Sequence, residues 1–517
     1  MERNVARIFE SLLVVVVLIS IGLGVTWIDD RQLATTPGQS SAPGSPWLPD
    51  QQATRPGDPF FASTPAPEAI LPNAELAPTN TTPTPPEPEI TSTPGNLGNP
   101  EVATPVAVNL QVDESMLDAR DAPLLQQAPN TINVLLLGTD ASADSHYART
   151  DTIIVVSINP SYPSVSMLSF PRDLQVRLPD GAQDRINTVM QRGYLSQYPG
   201  GGAPYLALVL RKNFGIKIDH FVRVDFAGLI KAVDTLGGID VLVECELHDT
   251  FPDKESPTGK TDLDVYPGKV TLNGKQALWY ARSRWSTTDF DRARRQQKVL
   301  RALFRKAREG NMLQNALGLY GEFRNSIETD LGPTDLIPFI DIARRLSSDD
   351  IKSRVITWPI VRSYQRADGA SVLIPTDKTI AFIAEALAPP AGNQAQIRPA
   401  VEVYNGSSRP DMELVAAERL AWEGFQVIGL GKIPDDRFSQ TQIIDYSTTR
   451  KGSPIARLQD IFRVPQRNVI GQPDPSSPSA ARIILGEDYD SCPNTANIAG
   501  EVKLEPAGEQ INVTPAP

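Results

Sequence analysis

An arginine-dense run occupies residues 281 to 298 of a chain whose formal net charge is -12. The planar, permanently charged fork of arginine matches two oxygens of a phosphate or carboxylate at once, so a cluster that opposes the global charge points to a built anion site. A solvated helix face is the ordinary alternative for a basic run. Upstream, polar residues gather where apolar runs end, as Gly138-Thr139-Asp140, Arg149-Thr150-Asp151 and Pro171-Arg172-Asp173. Asp140 and Asp151 form a carboxylate pair able to hold Mg²⁺ or Mn²⁺, cations that prefer oxygen and usually bridge to substrate phosphates. Together with several arginines this suits a phosphoryl or pyrophosphoryl group, whose chemistry depends mostly on positioning and charge neutralisation. The sequence has no P-loop, no glycine-rich dinucleotide fingerprint and no histidine-rich metal motif, so nucleotide and zinc chemistry have little support.

The elements that must position these groups follow from periodicity. Residues 132–137, 151–159 and 164–170 read as strands with polar residues at their ends, where α/β folds gather ligand sites. Helices are expected from residue 184, over 226–236 and from 272, with a strand at 239–243. Alternation of this kind predicts an α/β or α+β layered domain. Thr288 or Asp289 can cap a helix running through Arg305, in which Arg292, Gln296, Val299 and Leu303 share one stripe. The lower half of that stripe is apolar, so Arg292 and Gln296 are expected to face a cleft. Arg294 and Arg301 fall off the stripe and are expected in solvent. Trp279 reads as core.

The 517 residues allow two ordinary domains plus non-globular sequence. Residues 1–7 carry Arg3 and Arg7, and residues 8–28 are almost wholly apolar, about the 20 residues a helix needs to cross a bilayer. The basic flank predicts a single uncleaved anchor in the cytoplasmic membrane, N-terminus inside, with the rest of the chain outside. Residues 29–130 are rich in Pro, Thr and Ser and read as a disordered tether, although 108–125 can pack on the head as a short helix. Cys245 and Cys492 lie far apart and indicate neither a zinc site nor a disulfide framework, while a single bridge between them stays open. The acidic chain, with a pI near 5.0, opposes nucleic acid as a partner.

At this point the residues carry a resemblance. Residues 133–140, Arg149-Thr-Asp-Thr152, Ser169-Phe-Pro-Arg-Asp173, 233–241, 272–278 and Ala281-Arg-Ser-Arg284 through Arg295-Gln-Gln297 resemble, in order, the motifs of the LytR-CpsA-Psr family. The resemblance implies a domain over 131–389 with a central mixed sheet flanked by helices. It also implies an extracytoplasmic transferase that moves an anionic glycopolymer, such as teichoic acid, from a polyprenyl pyrophosphate carrier to peptidoglycan. On this likeness Asp140 and Asp151 hold magnesium, and Arg149, Arg172, Arg282, Arg284, Arg292 and Gln296 hold the pyrophosphate. Asp289 matches the acidic residue before the arginine helix, and Arg185 stands where the family usually has a basic residue. Residues 141–145 depart from the pattern, lacking the arginine that often follows Asp140. His146 and Tyr147 can touch substrate from that loop.

Residues 398–489 resemble a LytR C-terminal domain, a smaller α/β unit through Val403-Tyr-Asn-Gly406, 420–427 and 484–489. It shows no nucleophile constellation and reads as a binding or docking module, followed by a disordered tail over 490–517. Two other functions compete with transfer: hydrolysis of a polyprenyl pyrophosphate by the same site, and a non-catalytic surface protein that binds lipid-linked wall precursors. A transcriptional role conflicts with the expected outside placement and the acidic charge.

Overall fold

The protein is described by a computed structural model. It covers the residues from Leu110 to Cys492 except 111, 141–148, 162–163, 285–287, 310–326, most of 332–350, 389–397, 434–436 and 448–452. The expected anchor, most of the tether, the loop holding His146 and Tyr147, and all of the tail beyond Cys492 lie outside this set. No helix among the described residues is long and apolar enough to cross a membrane.

Three consecutive strands, β1 (Ile132–Thr139), β2 (Thr150–Asn159) and β3 (Ser164–Ser169), form an antiparallel meander. They are extended by β4 (His220–Val224), parallel to β1, and by β8 (Ile351–Val355), parallel to β3; β7 (Ile327–Thr329) pairs antiparallel with β4. The result is a six-stranded mixed sheet in the order β7-β4-β1-β2-β3-β8. Both faces are covered, which explains the unbroken apolar runs. Val134, Leu136, Ile154 and Val156 pack into one core, and Leu135, Leu137, Ile153 and Val155 into the other.

The second core is closed by the helices α1 (Ile186–Leu195), α2 (Gly202–Phe214) and α6 (Thr379–Leu387). The first is closed by α3 (Phe226–Thr235), α4 (Gly274–Arg282), α5 (Asp289–Glu309) and the hairpin of β5 (Ile239–Val243) with β6 (Gly268–Leu272). Trp279 lies in that core, 7% exposed and stacked on Phe251.

Residues 110–130, counted with the tether from composition, belong to the head. Leu110, Val112, Leu117 and Leu125 pack against the second core, and a 3-10 turn forms at Glu114–Met116. Asp121 explains why this polar segment stays down. Its carboxylate meets the Lys212 ammonium at 2.8 Å, and both side chains are almost wholly buried.

The C-terminal unit has a five-stranded sheet in the order β10-β9-β13-β11-β12, where β9 is Ala400–Asn405, β10 Gln426–Lys432, β11 Gln442–Asp445, β12 Val469–Gly471 and β13 Ala481–Leu485. Its helices α7 (Met412–Trp422) and α8 (Ile455–Phe462) fill one core with Val401, Val403 and Ile483.

This unit is joined to the head, and the junction corrects one expectation, the placement of Arg294 and Arg301. Cys245, just after β5, is disulfide-bonded to Cys492 across 247 residues of sequence, a pairing that separation in the chain conceals. Arg294 and Arg301 are not in solvent: both guanidinium groups lie over the Trp422 ring, at 4.8 and 5.6 Å, and Arg301 is 3% exposed. The polar side of α5 faces the second domain rather than water. Lys298 there meets Glu418 of α7, each side chain 2% exposed, with Glu244 at 3.4 Å. Arg354 donates to the Trp422 carbonyl, and Ser491 donates to the Glu244 carbonyl.

Candidate active site

The site begins at the shared end of β1 and β2. Gly138 faces Thr152 and Thr139 faces Thr150, with an irregularity between them that brings Asp151 to the strand end beside Asp140. A side chain at position 138 has no room, because its Cβ would lie 2.9 Å from Thr152 Cβ. Arg172 follows β3 and Asp289 opens α5. Thr288, rather than Asp289, caps that helix: its hydroxyl accepts from the Asp291 amide, and its own amide donates to the Asp291 carboxylate. Asp289 is thereby released for the site.

Arg172 is the centre of the cluster. Its Nε donates to Asp289 at 2.8 Å and lies 3.5 Å from Asp173, while Nη1 is 3.4 Å from Asp151. Arg292 reaches the same Asp289 oxygen at 3.2 Å, and Arg284 lies 3.7 Å from Asp151 and 3.9 Å from Asp289. Burial alone would lower the pKa of Arg172, but Asp289, Asp173 and Asp151 outweigh it and leave the pKa raised. Arg292 behaves oppositely. Its side chain is 5% exposed, and burial, only partly offset by Asp289, pulls its pKa down to about 10. It therefore stays charged near neutrality, with a buried Nε that has no hydrogen-bond partner among the described residues.

Other expected residues surround this core. Arg185 contacts Asp173 at 3.5 Å and donates to the Ser371 carbonyl. With Arg149, Asn187, Arg192 and Arg366 it lines a cleft of about 300 Å³. Gln296 reaches the Ala281 carbonyl only at 3.5 Å. Arg282 stands apart from the ion-pair cluster, its guanidinium 4.4 Å over the Phe226 ring. Asp140 is exposed and makes no ion pair among the described residues.

Three further residues organise the site. Asp173, next to Arg172 in the sequence, bridges Arg172 and Arg185. Arg295 is buried and donates to the carbonyls of Tyr280 and Ser283, which fixes the turn that carries Arg282 and Arg284. Gln297 donates to Ser169 Oγ at 2.7 Å and to the Arg354 carbonyl at 2.9 Å, fastening α5 to the ends of β3 and β8. Neither was separable by type or spacing from its neighbours in the run.

The donor set fits a hard divalent cation. It offers two carboxylates at one strand end, and among the described residues no cluster of three or more His, Cys, Asp or Glu forms a cage. A magnesium-type ion needs only one or two carboxylates when substrate phosphates complete its shell.

Comparison with known proteins follows the same division of the chain. The LytR C-terminal profile, described as LytR cell envelope-related transcriptional attenuator, matches residues 398–489. The teichoic acid–peptidoglycan transferase TagU of Oceanobacillus iheyensis is 32% identical over 210 residues, covering 40% of this chain and 61% of that protein. TagU of Enterococcus faecalis is 30% identical over 245 residues, 46% of this chain and 74% of that one. Biofilm regulatory protein A of Streptococcus mutans is 26% identical over 255 residues, 48% and 61% of the two chains. The chain thus spans about three fifths of the length of the first of these relatives. The crystal structure of Bacillus subtilis TagV aligns with a TM-score of 0.40 at 25% identity, covering 50% of this chain and 97% of that one. The LytR_cpsA_psr profile matches residues 102–388, more than half of the sequence, and the chain belongs to the LytR_cpsA_psr family.

Proposed function

We propose that this protein is a membrane-anchored phosphotransferase that moves an anionic glycopolymer from a polyprenyl pyrophosphate carrier to peptidoglycan outside the cell. The observation that carries the reading is the Arg172 cluster: a guanidinium oriented by Asp151, Asp173 and Asp289, with Arg284 and Arg292 beside it. Carboxylates that hold the arginines in place prepare them for a doubly charged group, which needs no reorganisation of the site at the moment of reaction. The names of the TagU relatives support the substrate class. The Cys245–Cys492 bridge supports placement outside the cytoplasm, because disulfides persist in oxidising surroundings.

In this mechanism a hydroxyl of the peptidoglycan acceptor attacks the phosphorus joined to the sugar. The bond to the bridging oxygen breaks, polyprenyl phosphate leaves, and a phosphodiester joins polymer to acceptor. Arg172, Arg284 and Arg292 hold the phosphate oxygens and take up the charge that develops on the leaving group. Arg282 and Gln296 flank them, and Arg149 and Arg185 lie toward the sugar end in the adjoining cleft. Asp140 and Asp151 would hold Mg²⁺ or Mn²⁺, which supplies further neutralisation of the pyrophosphate when bound. The acceptor proton passes to a carboxylate oxygen of Asp140.

The test is transfer by the full chain from a polyprenyl pyrophosphate-linked saccharide to peptidoglycan, followed by release of polyprenyl phosphate and by labelled polymer on the wall. Arg172→Ala should lower transfer by about a hundredfold or more, and chelation of divalent cations should lower it reversibly. Equal release with and without acceptor would make the activity hydrolysis, and full transfer by Arg172→Ala would sink the assignment of the site.

A further inference from the structure

The helix that presents Asp289, Arg292 and Gln296 to the site is held from behind by the C-terminal unit. Along α5, Arg294, Lys298 and Arg301 point away from the arginine cluster and into the domain junction. Lys298 Nζ meets Glu418 of α7 in a buried pair, donates to the Leu242 carbonyl at 2.9 Å, and has Glu244 at 3.4 Å. Trp422, at the end of α7, lies under the guanidinium groups of Arg294 and Arg301. The disulfide closes the same junction, since Cys245 adjoins Glu244 and Cys492 adjoins Ser491, whose hydroxyl donates to the Glu244 carbonyl.

We propose that the C-terminal unit is a positioning clamp for the anion-binding helix, with Glu418 as its principal contact acting through Lys298. A buried ammonium with two carboxylates and a carbonyl around it tolerates little displacement, because any shift leaves a desolvated charge without partners. Gln296 and Lys298 are two residues apart, and Arg292 lies less than two turns away. The axial position and rotation of α5 at the junction therefore fix where Arg292 stands at the site. Glu418 is a positioning residue, since it touches no part of the anion cluster. This gives the C-terminal domain a part in transfer chemistry without any ligand of its own. The consequence for substrate binding rests on the pyrophosphate reading above; the consequence for the helix does not.

Two measurements on the full chain separate them. Amide hydrogen exchange over residues 290–297 reads the clamp directly, and calorimetric titration with inorganic pyrophosphate reads the site. Glu418→Gln should speed exchange in that segment while exchange in β1 to β3 stays unchanged, because only the local opening is altered. Pyrophosphate affinity should fall about five- to tenfold, a coupling of ordinary size, with no further fall when Arg292→Ala is already present. Joint replacement of Cys245 and Cys492 by serine leaves the ion pair in place and should speed the same exchange to a smaller extent, so a misfolded Glu418→Gln chain does not decide the matter. Unchanged exchange over 290–297 in both variants overturns the clamp. Faster exchange in a protein whose unsubstituted form binds no pyrophosphate keeps the clamp and overturns the anion-site reading.

Discussion

Arg172 and Arg292 share a carboxylate oxygen of Asp289 but meet it under different conditions. Arg172 is partly exposed and surrounded by three carboxylates, whereas Arg292 is enclosed and, among the described residues, has only Asp289 as a direct ion pair. The first arginine is held by acidic neighbours and the second by packing. Arg292→Lys keeps the charge but loses the planar fork, and a shorter, freely rotating ammonium cannot serve Asp289 and a phosphate together. It should weaken inorganic pyrophosphate binding by about tenfold, roughly 1.4 kcal/mol, read by calorimetry, without moving the thermal midpoint by more than a few degrees. At this scale the sequence was most informative where residue type forces chemistry. Asp151, Arg172, Arg284, Asp289 and Arg292 do converge. Arg282 stays outside that cluster, its guanidinium over the Phe226 ring, which no spacing rule anticipates.

The helix α5 shows how far periodicity reaches. Of the stripe of Arg292, Gln296, Val299 and Leu303, three residues are buried as the spacing predicts, Arg292, Val299 and Leu303 at 4%, 2% and 4% exposure, and Gln296 is partly buried. The same reasoning placed Arg301 in water, because a helix read alone shows its apolar face and is silent about a polar face that a second domain covers. The partners of that face lie 120 residues away at Glu418 and beyond the reach of a local pattern. Strands β1 to β3 were legible for the opposite reason, being continuous apolar runs bounded by polar residues. The junction between α5 and α7 also carries a pH dependence. Burial would raise the pKa of Glu418, but Lys298, Arg301 and Arg305 outweigh it and hold it below its ordinary value. Glu244, Lys298 and Arg294 complete the charges facing it. A carboxylate with a depressed folded-state pKa contributes stability that is fully present above its unfolded value, near 4.3, and is lost as pH falls through the folded value. Exchange protection of α7 should therefore stay constant from neutrality down to about pH 5 and decline below it. In Glu418→Gln the decline should be shallower.

As a whole the described molecule is two layered domains that act as one body rather than a catalyst with an independent appendage. Asp121 with Lys212 pins the segment before β1, and Ser491 with Cys492 pins the far end of the second sheet. Composition drew the domain limits at 130 and 490 because proline- and serine-rich sequence reads as tether, yet single charged or sulfur-bearing residues hold both margins down. The bridge between Cys245 and Cys492 has a further consequence for the integrity of the chain. It makes the polypeptide between them a covalent ring that includes α4, α5 and all of the second domain. A protease that nicks one exposed bond inside the ring cannot release a fragment. Nicked protein should migrate as a full-length species on a non-reducing gel and separate into two pieces only after a thiol is added. Release of a piece without thiol would show that the ring is open.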